Sequence, residues 1–250
     1  MKTTYKKLFA LAIVMLIALG GQLAMAQSTI FNIPTTDTVA KGKGYFEFDY
    51  FGQMPKPDGV KMTNIFVPRA IVGLGPNLEA GANFGFYHAG STQSFFEPDI
   101  KWRFVNMDDK GLAASVGVVA YTPMNNRDFV DSAGLFYGNI SKKVKSGNYG
   151  PRFTAGPYVI ATKENSATFL GSGPRAGAIV GYEQPIASKA SIVADWYSGK
   201  NFFGYFTPGL SFTLPGNGLF NIGYSIGNDS WANSNATKNR YLFIYYGVTF

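Results

Sequence analysis

The 250-residue sequence has no cysteine and one histidine, His88. Zinc, iron–sulfur and thiol centres are ligated by Cys and His, so none is expected from this chain's own side chains, and no cofactor is implied. Charge is scarce as well, at 15% Asp, Glu, Lys and Arg, which argues against a disordered chain and a coiled coil. The lack of cysteine removes a disulfide scaffold. Past residue 26 no apolar run approaches the roughly 20 residues that a membrane-spanning helix needs. What the sequence does have is glycine, 30 residues of it, and 16% aromatic side chains.

Residues 1–26 stand apart. Lys2, Lys6 and Lys7 precede an uncharged apolar stretch from Leu8 to Leu19, and Ala24-Met25-Ala26 before Gln27 has the small-x-small form of a signal peptidase site. A cleaved signal peptide over 1–26 and a single exported domain over 27–250 are expected. Cleavage removes three lysines and no acid, lowering the net charge from +7 to +4 and weakening the case for a nucleic-acid partner.

From residue 44 onward apolar residues recur at every second position, the period of a strand with two unlike faces. Twelve strands are predicted, near 44–51, 64–73, 77–88, 96–106, 111–122, 133–144, 151–162, 173–184, 189–199, 203–214, 218–228 and 239–250. Short turns follow the even strands, at Gly75–Asn77, Met107–Lys110, Lys145–Tyr149, Ile186–Ser188 and Pro215–Asn217. Longer links follow odd ones, notably 52–63, 123–132, 162–172 and 228–238. Such a meander predicts an all-β, antiparallel up-and-down transmembrane barrel with both strand termini at the short-turn, periplasmic end. Pro68, Pro157 and Pro208 fall inside these strands and each removes a ladder donor, so bulges, or a count of ten or fourteen strands, stay open.

Parity segregates charge. Glu97, Asp99, Lys101 and Arg103 alternate with Ile100, Trp102 and Phe104; Glu79 and Asn83 lie opposite Leu78, Phe84 and Phe86; Arg175 and Glu183 lie opposite Ala176, Val180 and Tyr182. One face is thus kept nearly free of charge, as hydrocarbon contact demands, but parity alone does not say which face is inside. The last strand breaks the tie. Tyr246, Val248 and Phe250 close an alternating apolar stripe whose exposed edge would invite aggregation in water. This ending resembles the recognition signal that the barrel assembly machinery reads in outer-membrane proteins. The resemblance implies the bacterial outer membrane as location, with its lipid and that machinery as partners.

Chemistry-bearing patterns are few. Gly223-Tyr224-Ser225-Ile226-Gly227 matches a nucleophile elbow in letters, but it sits in an alternating strand with no helix after it and the histidine before it. Outer-membrane phospholipases, also twelve-stranded barrels, pair His and Ser two residues apart on one strand. His88 and Ser91 are three apart, so that pattern is not met. Gly171–Gly177 has the wrong spacing for a dinucleotide loop. No catalytic or metal residue is nominated.

The inward set predicted by parity is Glu47, Asp49, Arg69, Glu79, Asn83, Asp99, Lys101, Arg103, Arg152, Arg175, Glu183 and Asp195, six acids against five bases. Such near balance suits either a cross-lumen ion-pair network that narrows the bore or a water-filled path for small polar solutes. Tyr137, Tyr158, Tyr241, Phe243 and Tyr245 share the inward parity and offer an aromatic ledge.

The hairpin Arg69-Ala70-Ile71-Val72-Gly73-Leu74-Gly75-Pro76-Asn77-Leu78-Glu79-Ala80-Gly81, with its short Gly/Asn turn and inward Glu, resembles one recurring in transporter-like outer-membrane barrels of phenol degradation (the meta-pathway). That resemblance implies a pore or channel for passive transport of small solutes, aromatic or amphipathic ones included. The competing readings are a phospholipase-like hydrolase and a non-conducting structural or adhesive barrel.

Overall fold

A computed structural model describes residues 28–54, 62–144, 149–231 and 239–250. The expected signal peptide and the centres of the 52–63, 145–149 and 228–238 links lie outside the described residues. Alternating sequence gives strands, and twelve of them close into one antiparallel barrel in which each strand pairs with its chain neighbours and β1 pairs with β12. They are β1 (Gly44–Gln53), β2 (Asn64–Gly75), β3 (Leu78–His88), β4 (Thr92–Met107), β5 (Leu112–Pro123), β6 (Ala133–Lys143), β7 (Arg152–Thr162), β8 (Ala176–Ala187), β9 (Ala190–Tyr197), β10 (Tyr205–Leu214), β11 (Gly218–Gly227) and β12 (Arg240–Thr249). Closure satisfies every sheet edge. The seam runs from Tyr45 opposite Thr249 to Gln53 opposite Tyr241, so the start of β1 and the end of β12 share the short-turn end.

The faces are now assigned. Trp102 and Phe104 are 54% and 48% exposed on the outside, whereas Glu97 and Lys101 are 3% and 2% exposed within. Phe46, Phe48, Phe66, Phe84, Phe96, Ile100, Phe136, Ile140, Phe153, Val159, Ile192 and Leu210 continue the exposed apolar exterior. On that outward parity the formally charged side chains are Lys142 and Arg240, both at strand ends.

The prolines act differently from expectation. Pro68, Pro157 and Pro208 cause no change of register, and the count stays at twelve. Pro68 keeps its place opposite Phe48 while the β2–β3 pairing lapses between Phe66 and Arg69 and resumes in the same register. Pro157 and Pro208 likewise pair with Ala178 and Ala194 on one side and leave a short gap on the other. A proline lacks one N–H, and in an interior strand that donor serves one neighbour only, so the other ladder preserves the alignment. The register shifts fall elsewhere, at Gly73/Gly75, Arg103/Val105 and Pro185/Ala187.

Two boundaries also move. β4 begins at Thr92, so the β3–β4 link is only Ala89–Ser91, and the alternation of short and long links is not strict. β8 begins at Ala176 instead of 173, because the preceding residues fold into a compact loop. Gly171 there has φ +54°, and the Arg175 guanidinium donates to the carbonyls of Thr162 and Lys163 at 2.7 and 3.0 Å. Arg175 is therefore a loop clasp at the rim and not a residue of the barrel wall.

Candidate functional site: a plugged lumen with an aromatic, acid-lined cavity

The barrel interior is occupied by residues 28–39 of the same chain. This segment is irregular, so its backbone N–H and C=O groups need partners that a ladder does not give. The wall supplies them. Asp195 Oδ2 accepts the N–H groups of Phe31, Asn32 and Ile33 at 3.1, 2.5 and 2.9 Å. Asn221 and Asn139 donate to the carbonyls of Ile30 and Pro34 at 3.0 and 2.5 Å, and Thr36 pairs with Ser141. Within the segment, the Ile30 N–H donates to the Ile33 carbonyl at 3.0 Å, forming a tight turn whose N–H groups converge on Asp195.

The balanced charges explain the second anchor. Glu79 accepts from Ser28 Oγ and the Val39 N–H, both at 2.6 Å, and pairs with Lys101 at 2.8 Å. Lys101 also donates to the Ser28 carbonyl and hydroxyl. Arg152 bridges Asp37 and Glu183 at 2.6 and 2.8 Å. A buried ion pair of this kind stabilises only when its remaining donors and acceptors are met, and here the segment meets part of that requirement.

Apolar contact completes the docking. Ile30, Phe31 and Ile33 are at most 3% exposed, and Phe31 packs on Phe243 with ring centroids 5.2 Å apart. Gly209 and Gly223 make room: a Cβ at either would stand 2.5 or 2.6 Å from the tip of the Phe31 ring. The glycine of the elbow-like Gly223–Gly227 string therefore serves close packing on a strand, not nucleophilic chemistry. His88 sits exposed at the end of β3, hydrogen-bonded to Thr92 Oγ1 at 2.8 Å, and Ser91 beside it is exposed.

Above the segment, toward the longer links, lies a cavity of about 580 Å³. Thr29, Phe31, Asn32 and Pro34 form its floor. Its walls carry Phe51, Tyr87, Tyr121, Tyr137, Tyr197, Phe202 and Tyr241 beside Asp49, Arg69, Asn83, Glu97 and Asp99. Phe169 from the β7–β8 loop, fully buried, and Phe202 and Phe203 from the β9–β10 link pack on Tyr121 at centroid distances of 5.6, 6.2 and 5.3 Å. Outside this cluster Lys163 and Asp131 tie two links together at 2.5 Å, and that hydrogen bond holds the Asp131 carboxyl below its ordinary value.

The predicted inward residues separate into groups. Asp49, Arg69, Asn83 and Asp99 line the cavity. Glu79, Lys101, Arg152, Glu183 and Asp195 hold the N-terminal segment. Glu47 lies buried beside Arg69 at 3.7 Å, and Arg103 binds Asn77 Oδ1 near the short turns at 3.1 Å. Arg175 is at the rim. Of the aromatic ledge, Tyr158 and Tyr245 are 1% and 0% exposed and support the interior, while Tyr137 and Tyr241 face the cavity. Tyr246 and Phe250 are exposed on the outside of β12, with Val248 between them half-buried.

Sequence reasoning missed two things. Glu97 has the parity of Asp99 yet stands outside the inward set, although it lies in the cavity wall. The segment 28–39 has no periodicity, and a run such as Ile30-Phe31-Asn32-Ile33-Pro34 gives no signal of where it docks.

No protein-family model matches the chain, and no curated relative does. A likeness exists among solved structures: the crystal structure of an outer-membrane channel from Pseudomonas putida F1 superposes with a TM-score of 0.50. It covers 90% of this chain and 99% of that one, at 10% sequence identity. The likeness is one of fold.

Proposed function

We propose that the chain is a bacterial outer-membrane channel for small solutes, held shut at rest by its own segment 28–39. The observation that carries this reading is the inversion of the usual arrangement: the barrel exposes Trp102, Phe104, Phe136 and Phe153 and encloses Glu79, Lys101 and Asp195. An apolar exterior of this extent in water would aggregate, whereas in hydrocarbon it is the face that costs least. The strands other than the eight-residue β9 have 10–16 residues, long enough to cross the bilayer when tilted. The likeness in fold to an outer-membrane channel supports the same reading, as does the resemblance of Arg69–Gly81 to the phenol-degradation barrels, which points to aromatic solutes. Tyr246, Val248 and Phe250 face outward at the seam, available to an assembly machinery.

A solute would enter from the longer links, lodge in the cavity, and pass only when the segment yields. The hydrolase reading gains nothing from His88, which is hydrogen-bonded to a threonine. The test is reconstitution of the full processed chain in planar bilayers and in vesicles of mid-chain brominated lipid. Discrete current steps and quenching of Trp102 are expected; silent membranes with unquenched tryptophan would refute the reading.

A further inference from the structure

The cavity wall holds several acceptors that no described residue satisfies. Asp49 and Glu97 are 8% and 3% exposed, and among the described residues Asp49 Oδ1, Asn83 Oδ1, Glu97 Oε1 and Asp99 Oδ2 are buried without a hydrogen-bond partner. All four side chains line the same cavity. Asn83 donates to Glu97 Oε2 at 3.2 Å, leaving Oε1 free. Gly85 keeps the space beside that oxygen open, since a Cβ there would come within 2.6 Å of it. Buried acceptors are normally paired, so four together mark a place where donors are meant to arrive from outside.

Arg69, the one cation among the described residues of this wall, makes no hydrogen bond to these four oxygens. Arg69 contacts Glu47 at 3.7 Å and Thr29 Oγ1 at 3.4 Å, and among the described residues Asp49, Glu97 and Asp99 have no ion-pair partner. Three carboxylates against one arginine leave the cavity an attractive site for positive charge. A bare metal ion is the poorer fit: among the described residues no three His, Asp or Glu side chains are grouped closely enough to ligate one. The rest of the lining is aromatic. The Phe202 ring stands 5.7 Å from Tyr87 and 6.2 Å from Tyr121, centroid to centroid, and the three rings offer π surface that attracts an organic cation and accepts its body.

We propose that this cavity binds an organic ammonium ion with an aromatic or apolar body, its positive head in the field of Asp49, Glu97 and Asp99 and its body among Tyr87, Tyr121 and Phe202. The inference rests on the channel reading only for how the ligand arrives. It narrows the solute class from aromatic compounds in general to cationic amines, and it disfavours aromatic carboxylates, which would face the same orphaned acceptors with no donor.

Calorimetry on the full processed chain in detergent separates this from the transport question, because binding is read without any current. Phenethylammonium, phenethyl alcohol and 3-phenylpropionate present similar bodies with positive, neutral and negative heads. The wild-type protein is expected to bind phenethylammonium at least about tenfold more tightly than the alcohol and to bind the carboxylate weakest. Glu97→Gln and Asp49→Asn should each weaken the ammonium ion about tenfold while leaving the alcohol unchanged. Equal or tighter binding of the alcohol or carboxylate, or no binding of any of the three, overturns the proposal even if the reconstituted protein conducts. Because selectivity is measured first on the wild type, the test stands if a variant fails to fold. Ammonium-selective binding by a protein that passes no current even without residues 28–39 would keep this site and overturn the channel.

Discussion

Replacing Asp195 by alanine removes the one oxygen that accepts three consecutive N–H groups, from Phe31, Asn32 and Ile33. Each buried donor left without a partner costs about 1–3 kcal/mol, and the hydrogen bonds lost are to a charged acceptor, the stronger kind. Water can enter once the turn loosens and recovers part of this, so the net loss of docking free energy is about 3–4 kcal/mol. At about 1.4 kcal/mol per factor of ten, the undocked population of segment 28–39 rises roughly 10²- to 10³-fold. The cysteine-free sequence provides a clean assay. Thr36 is 0% exposed, lies in the segment and does not line the cavity, so a Thr36→Cys variant carries the only thiol, and its maleimide labelling rate reports undocking. Labelling should accelerate about 100-fold or more in the Asp195→Ala background, and Asp195→Asn, which keeps one accepting oxygen, should fall between. Unchanged labelling in Asp195→Ala would refute the assignment of Asp195 as the anchor.

Gly223→Ala sets a methyl 2.6 Å from the Phe31 ring and should push the segment out while the barrel stays folded, seen as faster Thr36→Cys labelling with an unaltered heat-modifiable band on gels. Lys101→Met leaves Glu79 buried beside an apolar side chain; breaking a buried pair costs about 3–5 kcal/mol, and the barrel's unfolding midpoint in denaturant should drop accordingly. The Asp131–Lys163 link is sensitive to acid. Because the folded carboxyl is held below its unfolded value, the link contributes fully above the ordinary Asp value near 3.8 and is lost as pH falls through the lower, folded one. Backbone amide exchange over residues 163–175 should rise at that step relative to the pH trend of the strands, and Asp131→Asn should abolish the step.

The barrel was legible because its constraint is local: a strand with two unlike faces must alternate, so Trp102 and Phe104 against Lys101 and Arg103 mark the strand and separate its faces, while the choice of the inner face came from the last strand. The seam between β1 and β12 follows from an even meander that cannot leave an edge. The prolines show where local reading overreached, since a missing N–H in an interior strand breaks one ladder and spares the other, as at Pro68. Parity brought charged residues of one face together, but the inward set left out Glu97 and gave no division of labour among them. Whether Asp195 pairs with a base or with backbone N–H groups depends on a segment that docks across the lumen from more than 160 positions away in sequence, a contact with no periodic trace. Arg175 was misplaced because the turn at Gly171 withdraws it from the strand.

The central claim is that the lumen of this barrel is a path through a membrane closed by residues 28–39. Its most direct test is the single-channel conductance of the intact processed chain beside that of a variant lacking 28–39, both in planar bilayers. The account predicts small, infrequent steps from the intact protein and larger, sustained ones after deletion. Identical traces from two properly folded barrels, or silence from both, would contradict it.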